Sequence, residues 1–251
     1  MYSTQVMSPQ QESLYKKQVA QIEKTFELVH FVEDNHKYFV RGVSLKRSVS
    51  GVIEMLSDKP DFSHIAATMN KRDDLPPGTM QTLWKLNSDM ACAIGNRAHY
   101  FGEVFAFYRN IKPIQPLEEA VVKFWNDLPP HIMPCKVELV MYHLELLFGG
   151  MMDILLYNSK TGNFILADYK TNKNLFNNYN DQRMKAPFDD LLDMGFSKYE
   201  IQFSLYQILF EQTGLKIERR ILVHLLRDGT YKMYETRDLR DRLREWLKSY
   251  V

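Results

Sequence analysis

Between Cys135 and Thr171 three β-rich runs follow one another with only short turns between them: CKVELVMYH (135–143), LLFGGMMDILLYN (146–158) and NFILADYKT (163–171). Runs this close pair as neighbours, so the segment predicts a meander of adjacent strands. Gly162 ends the turn between the last two and is free to take a positive φ there. The third run is the most constraining. Its apolar residues FILA lead straight into Asp168, and Lys170 follows two places later. Each charge is expensive to bury unless it is paired, hydrogen-bonded or bound to a metal.

The flanking sequence supplies the layers around such a sheet. A weak helical pattern over Glu12–Leu28 precedes a β-hairpin, with strands Phe26–Val32 and Lys37–Val40 around Asp34 and Asn35. SVSGVIEML (48–56) is a helix start capped by Ser48 or Ser50. Residues 57–80, broken by prolines and charges, predict a mobile loop or arch carrying Lys59, Lys71 and Arg72. A long helix is expected from Met80 to Tyr108 and a second from Leu117 to Asn126. After a polar segment, Asn172–Met194, a helix over Ser197–Thr213 opens on a capping-box pattern, Ser197 to Glu200, and closes at Gly214. Strands over 215–227 and 231–238 follow. A terminal amphipathic helix carries Leu239, Leu243, Trp246 and Leu247 on one face. The order predicts an α/β fold: a central mixed β-sheet flanked by helices, with an N-terminal helical and hairpin extension. Residues 1–90 form that extension, packed as part of one continuous domain on a core over 91–251.

Composition narrows the function classes. The chain has 251 residues, 45% hydrophobic and 25% charged, which is ordinary for a globular domain. Only two cysteines are present, Cys92 and Cys135, with no CxxC pair, so a four-cysteine zinc or iron–sulfur site is excluded. Two thiols in a chain of this length fit a reducing, intracellular compartment. No run of 18 apolar residues exists, and the N-terminus matches neither a signal peptide nor an Arg-rich transit peptide. The net charge is +1, but from Thr213 onward ten Lys/Arg face six Asp/Glu, which fits a polyanionic partner or solvated helix faces.

Asp153 and Asp168 fall on neighbouring strands joined by the short turn. Pointing the same way, they form a dianionic cage for a hard cation such as Mg²⁺. Period 2 places Lys170 on the same face as Asp168, where an ammonium can orient a water or offset charge building on phosphorus. A plain cross-strand salt bridge accounts for the triplet equally well. Glu138 lies one strand earlier and can reach the same face. His99 and Glu103 are i and i+4 on the long helix, as are Gln202 and Tyr206 on the later one. Gly95 and Gly102 interrupt the long helix one heptad apart, at about 1 kcal/mol each, which close approach to the sheet or a ligand would explain. Trp84, Tyr100, Phe101 and Tyr108 are candidates for stacking on bases or for core packing.

Taken together, Gly95…His99…Glu103, Asp153, Asp168–Tyr169–Lys170 and Gln202…Tyr206 resemble, in order, the motifs of the RecB-like branch of the PD-(D/E)xK nucleases. The likeness covers about residues 95–226, and SVSGVIEML is similar to an upstream element of the mitochondrial genome maintenance exonuclease type. The resemblance implies a restriction-endonuclease-like core and Mg²⁺- or Mn²⁺-dependent hydrolysis of DNA, single-stranded or with free ends, in replication, recombination or repair. It implies that His99, Asp153, Asp168 and the Tyr169 carbonyl hold the metal. Lys170 is then the catalytic lysine and Glu138 an assisting acid. Glu103, Gln202, Tyr206, Ser48 and Arg97 support the site or the strand. Met152 stands where the family's Pro is common, and Asp168 replaces the longer Glu. No iron–sulfur cysteines and no P-loop are present. Exonuclease action is favoured. A structure-specific or restriction-like endonuclease, or an inactive DNA-binding subunit, are the alternatives. The lysine at +2 disfavours a cap-snatching endonuclease.

Overall fold

The computed structural model describes residues 7–33, 37–58 and 60–249. It is an α/β fold with a mixed sheet between two layers of helices. The expected hairpin turn at Asp34 and Asn35, and Lys59, lie outside the described residues.

The meander is present as β5 (Ile132–His143), β6 (Phe148–Asn158) and β7 (Asn163–Lys170). β5 and β7 both run antiparallel to β6. β8 (Ile217–Leu225) lies parallel to β7, and β9 (Tyr231–Glu235) antiparallel to β8. Alternation along β6 and β7 divides the core. Ile154, Leu156, Ile165, Ala167 and Tyr169 face one helical layer, formed by α4 (Thr79–Phe107) and α5 (Pro116–Asp127). Leu155, Tyr157, Phe164 and Leu166 face the other. That layer holds α1 (Pro9–Phe26), α2 (Val49–Met55), α6 (Gly195–Phe210) and α7 (Arg240–Lys248).

The edge of β6 is shared, and this shapes the site. β5 occupies one edge along the full strand. On the other edge β7 pairs only from Ile154 to Asn158. The two-residue β4 (Arg47–Ser48) takes up that edge further along, at Phe148 and Gly149. Between them β7 diverges, leaving a fork at Asp153. The N-terminal hairpin strands β1 (Val29–Val32) and β2 (Lys37–Val40) form a separate small sheet with β3 (Val43–Ser44).

Three sequence expectations change. Residues 57–80 are not a loop: α3 (Phe62–Arg72) occupies their centre, capped by the Asp61 carboxylate accepting from His64 N at 2.9 Å. Pro60 precedes that helix and Pro76–Pro77 follow it, so the prolines bracket it rather than break it. Buried Asn70 ties it to α4 by accepting from Met80 N at 3.0 Å. The capping box at Ser197 is also absent. α6 begins at Gly195, Ser197 is fully buried inside it, and Glu200 binds Arg237 instead. The start shifts because Phe196 N donates to Leu175 O, an approach that the missing Cβ of Gly195 permits. The α-helix ends at Phe210. A 3-10 turn, Glu211–Thr213, carries the chain to Gly214 at φ +69°. Finally, the border at 90/91 falls inside α4, which runs unbroken across it.

The glycines of α4 answer to β7. A Cβ on Gly102 would lie 2.9 Å from Cζ of Tyr169 and closer still to Cε2. Tyr169 cannot yield, being 1% exposed and held at its hydroxyl by Trp125 Nε1 at 2.7 Å. Gly95 meets only the rotatable Thr171 hydroxyl, at 3.1 Å. Gly102→Ala should therefore destabilise the fold by about 1–3 kcal/mol through overpacking. That outweighs the gain of about 1 kcal/mol in helix propensity. Gly95→Ala should be near neutral. Urea unfolding of both variants checks this, and a stabilised Gly102→Ala would mean that the ring is not locked.

Candidate active site

The fork brings residues from four elements together. Asp153, the first β6 residue left unpaired where β7 parts from it, accepts through one oxygen, Oδ2, from Tyr169 N at 3.0 Å. The same oxygen lies 3.0 Å from His99 Nδ1 on α4. Asp168 is 1% exposed, and its Oδ1 accepts from Lys170 Nζ at 2.5 Å. Its second oxygen, Oδ2, is buried without a hydrogen-bond partner among the described residues. From α6, Gln202 Nε2 donates to the hydroxyl of buried Tyr206 at 2.9 Å. Gly150 leaves room for that ring: a Cβ there would lie 3.1 Å from Tyr206 Cε1.

The charges share the burial unevenly. Burial, then the neighbouring Asp153, pushes the Asp168 carboxyl up. Burial acts on Asp153 in the same sense, but His99 and Lys170 beside it hold it well below the usual carboxylate range. Burial disfavours protonation of His99, yet Asp153 wins and raises the imidazole. Lys170 behaves alike: burial opposes its charge, while Asp168 and Asp153 keep it an ammonium. Burial, then Asp168, raises Tyr206 far above an ordinary tyrosine, so it stays a neutral phenol.

Two clefts meet at His99. The larger, about 800 Å³, is lined among others by Ser50, Cys92, Asn96, Lys170, Lys173 and Arg227. The smaller, about 530 Å³, contains Glu33, Tyr100, Glu103, Glu138 and Asp153. Glu138 stands between the pairs Val137↔Ile154 and Leu139↔Met152 with φ +47°, a left-handed conformation rare in a strand. Its carboxylate meets Glu103, and burial together with Glu138 pushes Glu103 up to about 7.

Of the residues singled out by sequence, His99, Asp153, Asp168, Lys170, Gln202 and Tyr206 converge, and Glu103 and Glu138 flank them. Two do not join. Arg97 points to the other side of α4, donating to Glu118 Oε1 at 2.7 Å and fastening α5. Residues two apart on a helix differ by about 200°, so Arg97 and His99 cannot share a face. Ser48 is the N-cap of α2, accepting from Gly51 N at 3.0 Å, and it is Ser50 that lines the cleft. Of the stacking candidates, Phe101 is core and packs on Phe105, Trp84 meets Phe62 edge-on, and Tyr100 and Tyr108 are exposed. Sequence reasoning passed over Tyr199, whose ring lies 4.7 Å from Lys170 Nζ. Its spacing of three before Gln202 carried the signal. Lys173 and Arg227 come from a loop and from the β8–β9 turn, and only the tertiary fold unites them.

Among the described residues no three His, Cys, Asp or Glu side chains stand ready as a metal-ligand set. The carboxylates are instead engaged by His99, Tyr169 N and Lys170. The donor set nonetheless suits a hard divalent cation: one imidazole and two carboxylates, one of them Asp168 with an orphaned buried oxygen. No protein-family model matches the chain, and no curated protein matches it either.

The Glu103–Glu138 pair sets a pH dependence in metal-free buffer. With its folded pKa raised, Glu103 contributes stability fully below its unfolded value of about 4.5. That contribution is lost as pH rises through about 7. Glu138→Gln removes the like charge. It should raise the thermal midpoint over wild type at pH 8 and leave it nearly unchanged at pH 4. Equal differences at both pH values would contradict the pairing.

Proposed function

We propose that this chain is a metal-dependent nuclease with a restriction-endonuclease-like core of the RecB-like PD-(D/E)xK type, acting on DNA ends or single strands. One observation carries the reading. At the β6–β7 fork, two carboxylates, an imidazole and a lysine converge where two clefts meet, His99 and Lys170 lining one and His99 and Asp153 the other, and an oxygen of the buried Asp168 carboxylate behind them is left without a partner. A salt bridge accounts for Asp168 and Lys170, and the Tyr169 N–H and His99 account for Asp153, but neither accounts for the buried, unpartnered oxygen of Asp168.

Asp153, Asp168, His99 and the Tyr169 carbonyl would hold Mg²⁺ or Mn²⁺. When bound, that cation supplies Lewis-acid charge to the phosphate and lowers the pKa of a nearby water. The chain's own groups do the rest. Water attacks phosphorus in line as the bond to the leaving oxygen breaks; the water gives up a proton to solvent and the leaving oxygen takes one from it. The Lys170 ammonium donates to the non-bridging oxygens and offsets the charge that builds there. Asp168 holds that ammonium, and His99 fixes the Asp153 carboxylate. Gln202 and Tyr206 close the site from α6 and keep it free of further charge. Lys173 and Arg227, exposed on the cleft wall, meet the neighbouring phosphates.

Lys170→Ala should lower hydrolysis of end-labelled DNA by about 10²–10³-fold with folding intact. EDTA should abolish hydrolysis. A wild type inert on single- and double-stranded DNA and on RNA, with Mg²⁺ or Mn²⁺, would sink the reading. Substrates blocked at both ends distinguish exonuclease, which leaves them whole, from endonuclease, which cuts them.

Arg227→Gln and Lys173→Gln should each weaken binding of single-stranded DNA whatever its sequence. Each should also lower the slope of log affinity against log salt by about 0.7. Unchanged slopes would remove both residues from the strand's path.

A further inference from the structure

The Lys170 side chain is 13% exposed, and two contacts hold its ammonium: the Asp168 carboxylate at 2.5 Å and the face of the Tyr199 ring at 4.7 Å. These contacts differ in kind. The carboxylate is also the donor that a divalent cation would take, and such a cation repels an ammonium. The ring offers nothing to the cation and attracts the ammonium through its quadrupole. We infer that Tyr199 is the positioning residue for Lys170: its ring keeps the ammonium in the cleft when a cation on the second Asp168 oxygen competes for that carboxylate. The inference rests on the nuclease reading above.

Tyr199 is built for a fixed position. It lies in the second turn of α6, facing the cleft. Its hydroxyl donates to Asn172 Oδ1 at 2.6 Å, just beyond the end of β7. The Asn172 carbonyl meets Nε2 of buried His224, on β8, at 2.7 Å. The ring thus bridges α6 to the ends of β7 and β8 and forms a wall against which the lysine stem lies. Without that wall the flexible four-carbon stem is free to follow its charge into the open cleft. A ring that served only to stack on bases would act on strand binding. One that served only to pack α6 would act on stability.

Two substitutions separate these roles. Tyr199→Phe keeps the ring and loses the hydroxyl; Tyr199→Leu keeps the bulk and loses the π face. The expected result for Tyr199→Leu is a kcat reduced about 3- to 30-fold, with KM for single-stranded DNA within about twofold of wild type, while Tyr199→Phe stays close to wild type. Selective lysine labelling gives a readout independent of activity. The methylene protons of Lys170 next to the ammonium should show an upfield ring-current shift in wild type and Tyr199→Phe that Tyr199→Leu loses. A full kcat in Tyr199→Leu, a change in KM alone, or Tyr199→Phe as impaired as Tyr199→Leu overturns the inference. An inactive Lys170→Ala beside a fully active Tyr199→Leu overturns it alone. An inert wild type, or an active Lys170→Ala, overturns the nuclease reading and this inference with it.

Discussion

One carboxylate oxygen, Oδ2 of Asp153, joins the elements that make the site. It meets the His99 imidazole on α4 and the Tyr169 backbone N–H on β7, while its own residue belongs to β6. The position follows from the strand pairing. Where β7 leaves β6, the Tyr169 N–H has no backbone partner across the gap, and a buried donor without one is costly. The Asp153 side chain replaces the missing carbonyl. The close approach of α4 at Gly102 then sets the helix near enough for His99 to reach the same oxygen.

The electrostatics follow from that arrangement. Two carboxylates this near cannot both ionise freely in a buried setting, so one rises and the other falls. Lys170 offsets part of the repulsion from inside the site. The surroundings are asymmetric. The cleft on the Lys170 side carries Lys173 and Arg227, and the cleft beyond His99 carries Glu33, Glu103 and Glu138. The first cleft therefore has a basic wall and the second an acidic one.

The parts of this arrangement that depend on local period were legible in the sequence. The meander showed in runs of β-rich residues, and the placement of Asp168 and Lys170 on one sheet face showed in alternation by two. The i, i+4 pairs His99–Glu103 and Gln202–Tyr206 came from helical period. Most of what failed depended on contacts distant in sequence. Ser197 and Glu200 have the spacing of a capping box, but burial of Ser197 and the Arg237 partner of Glu200 override it. The prolines around α3 mark helix ends in either reading, and only the Asn70 contact to α4 shows that an ordered helix lies between them. Arg97 was misplaced although helical geometry alone separates it from His99. Arg227 carried no local signal, because it reaches the cleft only through the pairing of β8 with β7.

β4 contributes two residues to the sheet, yet it determines where the chain can be divided. By taking the edge of β6 at Phe148 and Gly149, it covers backbone groups that β7 has abandoned, and α2 immediately behind it lays Val49 against Gly150. A chain begun at residue 91 would keep every carboxylate of the site but would bare that edge and open the pocket around Tyr206. The candidate site and the elements that enclose it therefore belong to one piece of chain. A minimal fragment that keeps the site enclosed would have to start before Arg47.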